Sequence, residues 1–123
     1  MNKKTIDAYL PKAYKLLSDS CVAENNEMPK MFRGYISSFG AAITMGSLKA
    51  AVAAYSAQGG AKNPRENLVK IIYALICEKE YKDVGNKDLY DYVVELNDDK
   101  MAKEKILNAA IAVKLAMNMY VLK

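Results

Sequence analysis

Apolar residues return at intervals of three and four along almost the whole chain, and no stretch sustains the period-two alternation of a half-buried strand. This single feature restricts the chain to helices. The expected fold is all-α, a single compact bundle of about five or six helices over residues 1–123. A length of 123 residues suits one core, and a hydrophobic fraction of 52% is enough to fill it.

The expected helices have legible boundaries. The first carries Ile6, Leu10, Ala13, Leu17 and Cys21 on one stripe, with Thr5 as N-cap and Pro11 tolerable only near the first turn. Lys4, Lys12 and Lys15 share the opposite face. A polar connection over Ala23 to Met28 leads to a second helix starting at Pro29 and ending at Gly46, with Phe32, Tyr35, Ile36, Phe39 and Ile43 inward. Gly34 and Gly40 inside that helix cost about 1 kcal/mol each relative to alanine, which predicts a second backbone close by. Ser47 caps a third helix with Leu48, Ala51, Val52 and Tyr55 inward, stopped by Gly59-Gly60. Asn63-Pro64-Arg65-Glu66 starts a fourth, whose core stripe is Leu68, Ile71, Ile72, Leu75 and Ile76. A linker from Glu80 to Gly85 precedes a short helix capped by Asn86 and carrying Leu89, Tyr92, Val93 and Leu96. The last helix, about Asp99 to Leu122, is apolar on nearly every face and is expected at the centre or against a neighbouring subunit.

The residue inventory narrows the chemistry. Histidine is absent, which removes the usual general base at neutral pH and the commonest transition-metal ligand. Cys21 and Cys77 have no zinc-binding spacing and no histidine to activate them, and are expected as reduced core thiols. No phosphate-binding glycine loop occurs, and pairs such as Asp98-Asp99 or Asp88 with Asp91 suit helix ends and solvated faces. The expectation is no catalytic residue, no metal and no cofactor. No apolar segment follows Met1-Asn2-Lys3-Lys4, and the run from Ile106 to Leu122 is interrupted by Asn108, Lys114 and Asn118. A cytoplasmic location without membrane contact is therefore expected.

Charge supplies the positive indication. Of the net +4, residues 1–75 hold an excess of five cations, whereas residues 76–123 have a net charge of −1. Phosphate chains are drawn to such local excess. The candidates are Lys4, Lys12 and Lys15 on the first helix and Lys30 and Arg33 at the start of the second. Lys62 and Arg65 flank the Asn63-Pro64 start, with Lys49 and Lys70 further along. Nine tyrosines divide between core positions and freer ones, Tyr81, Tyr90 and Tyr120, suited to protein contacts.

The stretch Arg33 to Ser56, RGYISSFGAAITMGSLKAAVAAYS, resembles the signature of the small helical subunit of the type III-B CRISPR effector, the Cmr complex. The matching elements are Tyr35-Ile36-Ser37-Ser38-Phe39-Gly40, Gly46, Leu48 and Ala53-Ala54-Tyr55. The later order, a short helix with Leu89 and Tyr92, an acidic turn and a long alanine-rich helix, is also similar. Where family members often end in a Trp-Leu-Lys-Arg-like sequence, this chain has Tyr120-Val121-Leu122-Lys123. The resemblance implies a non-catalytic, antiviral-defence role: stacking copies that contact guide RNA and target RNA through their backbones, beside the backbone and large subunits of the effector. It further implies packing roles for Gly34, Gly40 and Gly46, and phosphate contacts for Lys30, Arg33 and Lys49, with Lys123 as a partial match to the family ending. Two other classes fit the same fold: a helical protein-protein adaptor without nucleic-acid binding, and a small helical enzyme working through Arg, Lys and carboxylates in a cavity.

Overall fold

The computed structural model describes residues 2–56 and 65–123. Six α-helices form over these residues: α1 (Lys3–Asp19), α2 (Met31–Met45), α3 (Leu48–Ser56), α4 (Arg65–Cys77), α5 (Asp88–Leu96) and α6 (Asp99–Met117). They close on one hydrophobic core, so the all-α bundle is the observed fold. None of the described helices is long and apolar enough to cross a membrane.

α6 is the axis of the bundle. It packs against α1, α2, α4 and α5, and nine of its 19 residues are buried, five of them alanines. Small side chains on several faces let more than one neighbour approach, which is what the all-round apolar sequence requires. Asp98 caps the helix by accepting a hydrogen bond from the Met101 amide at 3.1 Å. The preceding turn needs a left-handed residue, and Asn97 supplies it at φ 50°.

α1 begins one turn earlier than the sequence suggests. Asn2, not Thr5, is the cap, its side chain accepting from the Thr5 amide at 3.1 Å. Pro11 lies well inside the helix. It is tolerated because Pro11 and Asp7, whose carbonyl loses its amide partner, are both on the exposed side where solvent satisfies that oxygen. The stripe ends at Ser20 rather than Cys21. Ser20 is buried and donates from Oγ to the Leu17 carbonyl at 3.1 Å, and Cys21 turns outward in the left-handed region at φ 63°. Cys21 is thus an exposed thiol and Cys77 a half-buried one, both free, in place of the two core thiols expected.

The connection after α1 is not simply polar. Val22, Ala23 and Met28 are buried, and Glu27–Met28 forms a two-residue strand, β1, parallel to β2 (Val121–Leu122). Paired backbone groups here satisfy a loop that has to cross the core. Pro29 stays outside α2, with Lys30 in the cap position. Ser47 caps α3 as expected, accepting from the Ala50 amide at 3.3 Å. Lys87 holds the cap position of α5 without a side-chain cap bond, and Asp88 reaches back to accept from the Gly85 amide at 2.9 Å. Asn86 instead donates from its side chain to the Ser56 carbonyl at 2.7 Å and ties this loop to the end of α3.

The close approach expected at Gly34 and Gly40 is not found. A Cβ built at either position meets nothing within 4 Å among the described residues. Only Gly46 is tight, its Cβ position lying 3.0 Å from the Ala42 carbonyl oxygen.

Candidate nucleic-acid interface

The α1 cations divide by environment. Lys4 is exposed in the first turn, Lys12 is half-buried, and neither has an ion pair among the described residues. Lys15 pairs with Asp19 at 3.4 Å. It also lines a shallow depression with Asp19, Glu80, Tyr81 and Lys82. Lys15 therefore stands beside carboxylates, although all three lysines share a helix face.

The start of α2 is different. Arg33 is half-buried, makes no ion pair among the described residues, and its Nε is buried without an acceptor. A buried donor left unsatisfied costs about 1–3 kcal/mol, and because Nε has no accessible surface an anion removes that cost only once the side chain turns outward. Lys30 is exposed one turn before it, and the helix contains no Asp or Glu over its 15 residues. The local field is therefore positive and uncompensated by α2 itself.

Arg65 belongs to a separate arrangement. Its guanidinium carbon lies 4.8 Å from the centroid of Tyr35 and 5.7 Å from that of Tyr55. The Tyr55 hydroxyl donates to the Tyr35 carbonyl at 3.0 Å. Burial pushes the Tyr55 phenol up, while the Arg65 charge pulls it back. This cluster joins α2, α3 and α4 and is structural at least in part. Lys70 likewise stands 5.3 Å above the Tyr81 ring. Tyr81 donates to Asn67 Oδ1 at 3.3 Å, and its phenol is pushed up to about 12, first by burial and then by the nearby Glu66 and Cys21 charges.

The remaining candidates are occupied or outside the described residues. Lys49 is 4.0 Å from Asp99, and Lys123 pairs with Glu27 across the two short strands. Exposed pairs of this kind contribute about 0–1 kcal/mol, so phosphate can replace either carboxylate at little cost. Lys62 lies outside the described residues, as do Gly59-Gly60 and Asn63-Pro64.

Four cations of the last helix were missed by dividing the chain at residue 75. Residues 76–99 hold three lysines against eight carboxylates, a net −5, and residues 100–123 hold five lysines against Glu104 alone, a net +4. The tail average concealed Lys100, Lys103, Lys105 and Lys114 on α6. A division at the Asp98 cap would have exposed them. The acidic counterpart runs from Glu78 through α5 to Asp99 and repels polyanions.

No family model, curated protein or solved structure matches the chain. Among the described residues no three His, Cys, Asp or Glu side chains come together as a metal would require.

Proposed function

We propose that this protein is a non-catalytic, RNA-contacting small subunit of a type III-B CRISPR effector. In that role it acts in antiviral defence in the cytoplasm. Cations on α1 and at the start of α2 meet the phosphates of target RNA or of the guide–target duplex. Sequence is read by base pairing between the strands, and the protein contributes charge and shape. The observation that carries this reading is Arg33: a half-buried guanidinium with an unsatisfied Nε on a helix without acids, beside exposed Lys30. Lys4 and Lys12, without ion pairs among the described residues, are further cations for the same polyanion. The acidic stretch through α5 leaves the remaining perimeter for protein neighbours, including stacked copies and the backbone and large subunits. Gly34 and Gly40, open in this chain, suit the approach of such a neighbour.

The test is RNA affinity of a variant with Lys4, Lys12, Lys30 and Arg33 replaced by glutamate. Loss of at least about 100-fold in affinity is expected, with helicity by circular dichroism unchanged. Unchanged affinity removes the assignment. The adaptor alternative separates at purification, since its complexes would contain protein and no nuclease-sensitive material of RNA length.

A further inference from the structure

A groove runs along the outside of the bundle between α2 and α6. One part, about 500 Å³, is lined by Gly40 and Thr44 of α2 with Lys100, Lys103, Leu107 and Ile111 of α6. A smaller part of about 150 Å³ continues it past Ser37 and Ala41 to Lys114. The lining passes from Thr44 with Lys100 to Ser37 with Lys114, so the two helices run antiparallel and the groove follows both. Its floor is apolar: Leu107 and Ile111 are half-buried, and Gly40 leaves open space where a side chain would stand. Lys100, Lys103 and Lys114 border it and make no ion pair among the described residues. Glu104 is the one acid in the lining.

We infer that this groove is a docking site for an acidic amphipathic helix of a partner protein. An apolar floor with a cationic border is complementary to a helix bearing an apolar stripe between carboxylates. Lys100 to Lys114 spans about 21 Å, the length of roughly four helical turns. A nucleic acid is the poorer fit, because a phosphate chain gains nothing from the apolar floor of Leu107 and Ile111. A second copy of this chain is also a poorer fit. Its acidic helix α5 buries Leu89 and Val93 in its own core, which leaves Val94 as the large apolar side chain it can offer. The inference does not depend on the RNA-binding proposal and concerns other residues.

The experiment uses the full chain and a fluorescent peptide of about 14 residues with leucines at helical i, i+3, i+4 and i+7 positions and glutamates on both flanks, followed by anisotropy. Saturable binding with a Kd on the order of 10–100 μM is expected. Gly40→Leu places a side chain in the groove from a Cβ position with open space around it among the described residues, and Lys100→Glu/Lys103→Glu/Lys114→Glu reverses its border. Each is expected to weaken binding at least about 10-fold while circular dichroism shows the helices intact. Absence of saturation to about 1 mM overturns the proposal, as does affinity unchanged by Gly40→Leu. Two further outcomes overturn it in favour of other occupants. One is an RNA oligonucleotide that displaces the peptide and binds Gly40→Leu normally but not the lysine variant. The other is a dimer, seen by light scattering, that both variants dissociate.

Discussion

Replacing Gly34 and Gly40 by alanine tests the description of α2 directly. Neither position offers any atom within 4 Å of an added Cβ, so a methyl group meets no opposing contact. Glycine in a helix interior is about 0.8–1.0 kcal/mol worse than alanine. Gly40 sits in the middle of α2 and should return about 1 kcal/mol, whereas Gly34 is in the first turn and should return about half as much. The two are six positions apart, about 9 Å along the axis, so their effects should add to about 1.5 kcal/mol. With an unfolding entropy of about 2.1 cal/mol/K per residue, 123 residues give roughly 0.26 kcal/mol/K, and the double variant should melt about 6 °C higher. Differential scanning calorimetry reads this directly. A lowered melting temperature in either single variant would mean that a neighbour does approach α2 there, and the reasoning would fail.

Other outcomes follow from particular contacts. Tyr120→Phe keeps the stacked ring of Tyr14, 4.6 Å away, but loses the 2.8 Å bond from its hydroxyl to the Tyr14 carbonyl. Chemical denaturation should show a loss of about 1 kcal/mol, and no loss would remove that bond from the account. Tyr9, Tyr55, Tyr73, Tyr81, Tyr92 and Tyr120 are all raised chiefly by burial, Tyr81 to about 12. The unfolded chain therefore releases its phenolic protons first. Stability should be full below about pH 10 and fall as pH rises towards 12, and Tyr81→Phe should flatten that fall. A thiol reagent should label Cys21 faster than Cys77, because the first is exposed and the second half-buried. Equal rates by mass spectrometry would contradict the turn at φ 63°.

The helices were legible because their apolar stripes follow the helical repeat, and α6 announced its central position through alanines on several faces. Caps were legible where a short polar side chain stood immediately before a stripe, as at Ser47. They were misplaced at Thr5, where the helix starts one turn earlier and Asn2 caps it, and at Asn86, whose side chain is drawn away to the Ser56 carbonyl. The short strand pair was invisible, since residues 27–28 and 121–122 meet only after the helices have assembled. Gly34 and Gly40 marked α2 as unusual, but spacing alone could not say that the space beside them is open. At the candidate interface, residue type identified the cations while tertiary pairing sorted them. Lys15, Lys49 and Lys123 acquired carboxylate neighbours from i+4 or from distant segments, and Arg33 acquired none among the described residues.

The salt dependence of RNA binding measures the cations that replace counterions along the phosphate chain. For single-stranded RNA each contact contributes about −0.7 to the slope of log K against log salt, so Lys4, Lys12, Lys30 and Arg33 together should give about −2.8. Neutralising Lys30 and Arg33 with glutamine should halve that to about −1.4 and weaken binding similarly for all sequences. A slope unchanged by the two substitutions, or binding that ignores salt, would contradict a phosphate-contacting role for the start of α2.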